Sequence, residues 1–141
     1  MKILIIRAEY GEIKEKKVVE GEPAKVLKEV VAKALEMWNP SQSDLVVVRH
    51  THEVRVKLPL SKEQYQLYSR YNLRKVGSDM AAFDVPLYVV SYENRWVGED
   101  LVDSRVFIVA PYLDDNVAST IEELAKSITS GGGETEELEE E

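Results

Sequence analysis

The stretch that decides the fold is Lys2-Ile-Leu-Ile-Ile-Arg-Ala-Glu9, in which four apolar residues follow one another without a break. A strand with one wet face alternates apolar and polar residues, whereas a strand covered on both faces keeps a continuous apolar run. The stretch therefore predicts a strand with protein packed against both of its sides. A chain of 141 residues makes one domain the default, since domains commonly hold about 100–150 residues.

A second strand, predicted over 13–19, follows a turn at Tyr10-Gly11-Glu12. It is more exposed in character than the first strand and contains three lysines, Lys14, Lys16 and Lys17. Lysines on an edge strand discourage pairing with other chains. We therefore expect this segment to lie at one edge of the sheet, protected by its lysines.

Three helices are predicted from apolar periodicity and from residues that favour helix ends. The first begins at Pro23, which suits a first helical turn, and ends at Asn39-Pro40. The second begins after Ser61, with Gln64 placed to complete a capping box. The third begins near Asp114-Asp115, either of which can cap it.

Between the first two helices, residues 44–58 carry a long β pattern, which is either one bent strand or two strands meeting near Thr51. The apolar run at its start, Leu45–Val48, is buried in character, and the remainder alternates. After the second helix we predict a loop over 77–84 and then two buried strands, at Val85–Tyr92 and Arg105–Ala110.

The resulting order, β-β-α-β-(β)-α-β-β-α, predicts an α+β fold, or an α/β two-layer sandwich. Its mixed β-sheet would contain about five or six strands, with three helices. Residues 1–129 form the single globular domain of this prediction. Residues 130–141 contain three consecutive glycines followed by glutamates, so we expect a Gly-rich linker and an acidic, disordered tail.

Charge and composition exclude several classes of protein. The net charge is −8, but six glutamates of the tail account for most of it and leave −2 for residues 1–129, which argues against nucleic acid as a partner. No apolar run approaches the roughly 18 residues of a membrane span, and the lack of cysteine excludes disulfides and thiolate sites. Few Gln and Asn beside many Glu, Lys, Val and Ile are typical of heat-adapted proteins. With no targeting segment in the sequence, we expect a cytoplasmic location.

His50 and His52 are the two histidines of the chain and the candidate metal ligands. Two residues apart on a strand, they point to the same side, where both imidazoles can meet one divalent metal. Asp84, Asp100 or Asp103 would supply a third ligand. The alternative is structural, because the pair shares its side with apolar residues of the same strand and can complete the core face.

Asn94, Arg95 and Trp96 form the candidate binding site, within the segment that joins the last two predicted strands. Arg and aromatic side chains are enriched at interface hot spots, which favours a protein partner bound by this segment and the neighbouring sheet edge. The alternative is that Trp96 folds back over the sheet as a lid.

A third candidate is an aromatic and basic helical face that stacks single-stranded nucleic acid. It comprises Tyr65, Tyr68 and Tyr71 with Arg70, Arg74 and Lys75. Tyrosines at helical spacing more often pack into a core with their hydroxyls at its boundary, which is the alternative interpretation.

The opening Lys2-Ile-Leu-Ile-Ile-Arg7 and the stretch Val90-Ser-Tyr-Glu-Asn-Arg-Trp96 resemble an uncharacterised family of small archaeal proteins, over residues 1–129. Because that family has no assigned activity, the resemblance carries over no site residue. It implies an archaeal, and more narrowly crenarchaeal, cytoplasmic protein.

Together these patterns predict a non-enzymatic binding or protein-interaction module of a thermophilic archaeon. The alternatives are a metal-dependent, hydrolase-like enzyme that uses His50 and His52, and a weak single-stranded nucleic-acid binder. The sequence contains no Gly-rich phosphate loop and no His-Glu-x-x-His, so we expect no enzymatic activity and no cofactor beyond that divalent metal. The sheet edges leave homodimerisation open.

Overall fold

The strand predicted at the start of the chain lies inside a six-stranded sheet in the computed structural model of the protein. The structure describes residues 1–38, 45–92, 95–97, 100–102 and 105–130, with side chains up to residue 91 and again from residue 105. The strands are β1 (Lys2–Glu9), β2 (Glu12–Glu20), β3 (Leu45–Lys57), β4 (Arg74–Lys75), β5 (Met80–Tyr92), β6 (Arg95–Val97), β7 (Asp100–Val102) and β8 (Arg105–Pro111). The helices are α1 (Pro23–Trp38), α2 (Lys62–Tyr68) and α3 (Asp115–Thr129), and a short 3-10 helix, Ser69–Tyr71, follows α2.

The large sheet has the strand order β2-β1-β8-β5-β3, and β4 pairs with the first part of β5. Every pair among the described strands is antiparallel. The α+β class is therefore confirmed, whereas the expectation of a mixed sheet is wrong. The reason lies in α1, which carries the chain from β2 at one edge of the sheet to β3 at the other edge. The two strands that this helix joins are not neighbours, so the crossover creates no parallel pair.

Helices cover both faces of the sheet, which makes three layers where the two-layer alternative has two. Ile3 and Ile5 of β1 belong to the apolar cluster that α1 completes on one face. Leu4 and Ile6 belong to the cluster that α3 completes on the other face. All four side chains are at most 5% exposed, so the prediction of a strand covered on both sides is confirmed.

The local signals at the helix starts are also confirmed. Ser61 and Gln64 form the reciprocal capping box at the beginning of α2, with hydrogen bonds of 2.9 and 3.0 Å. Asp114 caps α3, since its Oδ1 accepts a hydrogen bond from the backbone N–H of Val117 at 2.9 Å. Beyond Ser130 the predicted linker and acidic tail lie outside the described residues.

The turn between β1 and β2 is tied to the far end of the chain. Tyr10 and Gly11 both have positive φ angles, of 51° and 83°, and a glycine meets the second of these without steric cost. The Gly11 N–H donates a hydrogen bond of 3.0 Å to the Oγ1 of Thr129, the last residue of α3. The first hairpin is therefore fastened to the end of the last helix.

Two predictions about strands are corrected by the pairing. The long β pattern forms one strand, β3, but its start at 45–48 is partly or fully exposed, because an edge strand has a neighbour on one side alone. The loop predicted over 77–84 ends at Asp79, since β5 begins at Met80 and pairs with β3 from there. Ala81, Ala82 and Phe83 are buried in that pairing.

Candidate functional site

Among the described residues, no strand pairs with the outer side of β3, whose inner side is bound to β5. The β3–β5 register runs from Leu45 to Lys57 without a bulge, over 13 residues. Val54 is the single residue of β3 that is fully buried, and the other side chains alternate between half-buried and exposed. The strand therefore presents a long, regular edge of backbone donors and acceptors.

The first half of this edge is apolar, and its middle is charged. Val47 is 42% exposed on the outer part of the strand, although valine is a residue that usually occupies a core. Arg49 follows it, exposed and without an ion-pair partner among the described residues, whereas Glu53 pairs with Arg55 at 3.2 Å. The edge thus combines exposed apolar surface with an uncompensated cation.

His50 and His52 lie on the same side of β3, as the sequence predicts, facing the side where α2 and α3 pack. Their partners across the strand pair are Leu87 and Val85, both members of the α3-side cluster. The centroids of the two imidazole rings are 6.4 Å apart, with 30° between the ring planes. Burial lowers the pKa of both side chains, and the pKa of His52 is lowered further by His50 and raised by Glu53. Both rings are therefore neutral near pH 7, the state in which an imidazole binds a metal.

The third metal ligand predicted from the sequence is not supplied by Asp84. Asp84 is paired with Glu53 across the strands and so faces the side opposite to the histidines. Asn72 donates a hydrogen bond of 3.0 Å to it and Arg74 one of 3.2 Å, and these bonds lower the pKa of the Asp84 carboxyl. The side chains of Asp100 and Asp103 lie outside the described residues. In the part of the chain that the structure describes, no three His, Cys, Asp or Glu side chains come together to hold a metal ion.

The same contacts reveal a cluster that the sequence analysis missed. Arg74 lies 2.6 Å from Glu53 and 3.2 Å from Asp84, which ties β3, β4 and β5 together at one point. The one local signal is Asn72, whose left-handed backbone conformation (φ 57°) ends the 3-10 helix and directs the chain into β4. The two carboxylates come from distant parts of the sequence, so spacing alone does not predict their meeting.

The segment that contains Arg95 and Trp96 forms a small antiparallel ribbon of β6 and β7, where Arg95 pairs with Val102 and Trp96 with Leu101. The ribbon follows directly after β5, and β7 lies beside α3. The side chains of Arg95 and Trp96, and the whole of Asn94, lie outside the described residues. The binding segment and the Trp96 lid therefore both stay predictions.

The expected stacking face of three tyrosines is wrong. Tyr68 is fully buried, stacked on Phe83 with ring centroids 4.2 Å apart, and its hydroxyl donates a hydrogen bond to Asp114. Tyr65 is 61% exposed, and Tyr71 belongs to the 3-10 helix after α2. Helical spacing brought the three residues near one side, but the middle one is part of the core and cannot stack on a base.

Comparison with known proteins gives one match. The family model described as "Uncharacterized protein conserved in archaea (DUF2286)" matches residues 2–130. No curated protein and no solved structure matches the chain. None of the described helices has the length and apolar character needed to cross a membrane.

Proposed function

We propose that this chain, which belongs to the uncharacterised protein family conserved in archaea, is a non-enzymatic protein-interaction module. The family match spans nearly the same residues as the resemblance drawn from the sequence, and the archaeal assignment is thereby confirmed. A crenarchaeal source and a cytoplasmic location, which the resemblance implies, and heat adaptation, which the composition favours, are further parts of the proposal.

The observation that supports an interaction module is the outer edge of β3. Its backbone groups follow one another over 13 residues without a bulge, and no described strand covers them. An extended segment of another chain can add to such an edge, with main-chain hydrogen bonds giving affinity and alternate side chains giving specificity. Such a segment would first meet the exposed Val47 and Arg49, which has no ion-pair partner among the described residues.

The β6–β7 ribbon supports the same location. Leu45, at the start of β3, pairs with Tyr92, and the ribbon begins at Arg95, three residues further along the chain. The ribbon therefore begins close to the end of the sheet where the apolar half of the β3 edge begins. We propose that Asn94, Arg95 and Trp96 extend the contact surface around that end.

Site-specific photo-cross-linking tests this placement. Benzoylphenylalanine in place of Val47 should give cross-linked products with a partner chain, to be identified by mass spectrometry. Val18 on β2 is the matched control, since it is also a strand valine that is 42% exposed. Equal yields from the two positions, or no product from position 47, would show that β3 is not the contact surface. Unchanged yields from position 47 in the variant R95A/W96A would remove the ribbon from it.

A metal-dependent, hydrolase-like enzyme is the second candidate, favoured by the close, neutral pair of His50 and His52. It predicts stoichiometric metal in the purified protein, lost in the variant H50Q/H52Q. Elemental analysis without metal, together with a melting temperature that added Zn²⁺ leaves unchanged, would exclude this candidate.

A further inference from the structure

The residues of β3 are arranged symmetrically about Thr51, the middle residue of the strand. Counting outward in both directions, His50 is matched by His52, and Arg49 by Glu53. Further out, Val48 is matched by Val54 and Val46 by Val56, and the two ends of the strand are equally far from the centre. The sequence of this edge is therefore close to complementary with its own reversal.

Two identical strands that pair antiparallel about a two-fold axis place each residue opposite its matched position in the other copy. With the axis at Thr51, valine meets valine at two positions on each side, and histidine meets histidine. Arg49 of each copy meets Glu53 of the other, which puts opposite charges in direct cross-strand contact. This register uses the whole of β3 and contains no pair of like charges.

We infer that the strand received by the β3 edge is β3 of a second copy, paired antiparallel about Thr51, and that this pairing assembles a four-imidazole site for one divalent transition metal. The inference rests on the proposed function, because it names the chain that occupies the proposed edge. The pairing would join the sheets of the two copies into one continuous sheet across the two-fold axis.

The ion pairs of one chain agree with this arrangement. Arg49 is exposed and has no carboxylate partner among the described residues. Glu53 lies on the same face of the sheet as Arg49, four residues further along β3. Its carboxylate pairs with Arg55 and Arg74. In the paired strands, Arg49 would join the Glu53 carboxylate from the side that faces the second copy. Each dimer contains this contact twice, so one substitution changes two contacts.

The same two-fold symmetry brings the imidazoles of the two copies together. His50 and His52 face one side of the sheet and Thr51 faces the other, so the axis passes between the histidines with no side chain from the central residue in the way. Directly opposite side chains of an antiparallel pair have Cβ atoms about 4.5–5.5 Å apart, which places His50 of one copy beside His52 of the other.

One chain offers two imidazoles and, among its described residues, no third ligand. Two chains offer four, and four nitrogen ligands suit the tetrahedral coordination of Zn²⁺. A site closed by four protein ligands leaves no position for substrate, so its role would be to hold two chains together.

Sedimentation equilibrium of the full chain tests the pairing. Wild-type protein should sediment as a dimer. The variant R49E places two negative charges opposite each other at both contacts, so it should sediment as a monomer. The melting temperature of the monomer fold should stay unchanged. The double variant R49E/E53R restores opposite charges in reversed order and should restore the dimer. Because E53R also removes the pairs of Glu53 with Arg55 and Arg74, the melting temperature of the double variant is compared with that of E53R alone. A dimer that R49E leaves intact, or a double variant that is as stable as E53R and stays monomeric, would overturn the inferred register.

Calorimetric titration of metal-free protein with Zn²⁺ tests the site. The expected stoichiometry is one Zn²⁺ per two chains, with binding lost in H50Q/H52Q and weakened at least about tenfold in R49E. One Zn²⁺ per chain, or no binding by a wild-type dimer, would overturn the four-imidazole site.

The two proposals fail in different ways. A wild-type chain that is monomeric at every concentration, yet cross-links from position 47 to a different protein, would overturn the self-pairing and support the interaction module. A chain that neither dimerises nor cross-links from position 47 would overturn both.

Discussion

The two edges of the large sheet, β2 and β3, differ in the features that discourage pairing with another strand. The three lysines of β2 are all held by carboxylates, Lys14 by Glu12 at 2.9 Å, Lys16 by Glu122 at 2.6 Å and Lys17 by Glu15 at 3.4 Å. On β3, by contrast, seven of the thirteen residues are valines or histidines. The prediction that the lysine strand lies at a sheet edge is confirmed by the strand order.

Backbone geometry and self-complementarity separate the two edges further. The β1–β2 register shifts between Arg7 and Ala8, and such a bulge twists an edge away from regular pairing. Pairing β2 with its own copy about Lys16 would set Lys16 against Lys16 and Glu12 against Glu20. The β3 edge has neither obstacle. Charge pattern and bulges together therefore decide whether an edge can pair with another strand. Exposure does not decide it, because it is the same for Val18 and Val47.

The largest effect is expected from a substitution that lowers the stability of the whole fold and lies on neither edge strand. The variant D114A removes the cap of α3, worth about 1 kcal/mol, and leaves the buried Tyr68 hydroxyl without its acceptor, at about 1–3 kcal/mol. We expect the free energy of unfolding to fall by roughly 2–4 kcal/mol in urea titrations. D114N, which can still cap the helix, is the matched control. If D114A also abolished self-association below its unfolding midpoint, the contrast between the edges would reflect overall stability.

The next effect separates the edges. The variant V47K places a cation opposite Arg55 of the second copy, so we expect self-association to weaken at least about tenfold, or about 1.4 kcal/mol. V18K, at an equally exposed valine of β2, should leave the association constant unchanged. Sedimentation equilibrium measures both, and equal behaviour of the two variants would break the comparison.

A smaller effect is expected from acid, and it concerns β3 because β2 contains no histidine. Burial holds the pKa of His50 and His52 below the value of about 6.5 that the unfolded chain keeps. Between the two values the unfolded chain binds more protons than the folded chain. The contribution to stability is therefore complete above about pH 6.5 and is lost as the pH falls through the lowered values. Thermal melts at pH 7.5, 6 and 5 should show this decline. H50Q/H52Q should lack it, and an equal decline in that variant would assign it to other groups.

The smallest effect is expected on β2. The variant K16V removes the Lys16–Glu122 pair, and exposed pairs of this kind contribute about 0.2–1 kcal/mol. Because the bulge and the remaining charges stay in place, we expect K16V in the V47K background to sediment as a monomer. A dimer in that background would mean that Lys16 alone keeps the β2 edge closed.

Features that depend on near neighbours in the chain were predictable from the sequence. The apolar run of β1 and the Ser61–Gln64 capping box require residues a few positions apart, and both are confirmed. Burial along β3 was not predictable, because the run at Leu45–Val48 is as apolar as a core strand. Whether it is covered depends on how many strands lie beside it.

The candidate site divides in the same way. Alternation along a strand places His50 and His52 on one side, and this holds in the structure. The side on which Asp84 lies depends on its pairing with Glu53, 31 residues earlier, and no local pattern indicates it. Helical spacing likewise groups Tyr65 with Tyr68, but the depth of each in the core depends on Phe83 and Asp114 from other elements.

The fastening of the first turn to the end of α3 has a practical consequence for handling the protein. Ser130 lies beside Gly11, and the Met1 amino group lies 3.3 Å from Glu20, so the first and last described residues both sit at the β2 edge. Four inter-strand spacings, roughly 19 Å, separate that edge from β3. A tether attached at Met1 or directly at Ser130 would anchor the molecule to a sensor surface by its closed edge, with β3 facing the free solution. Immobilisation would then orient every molecule for binding at β3.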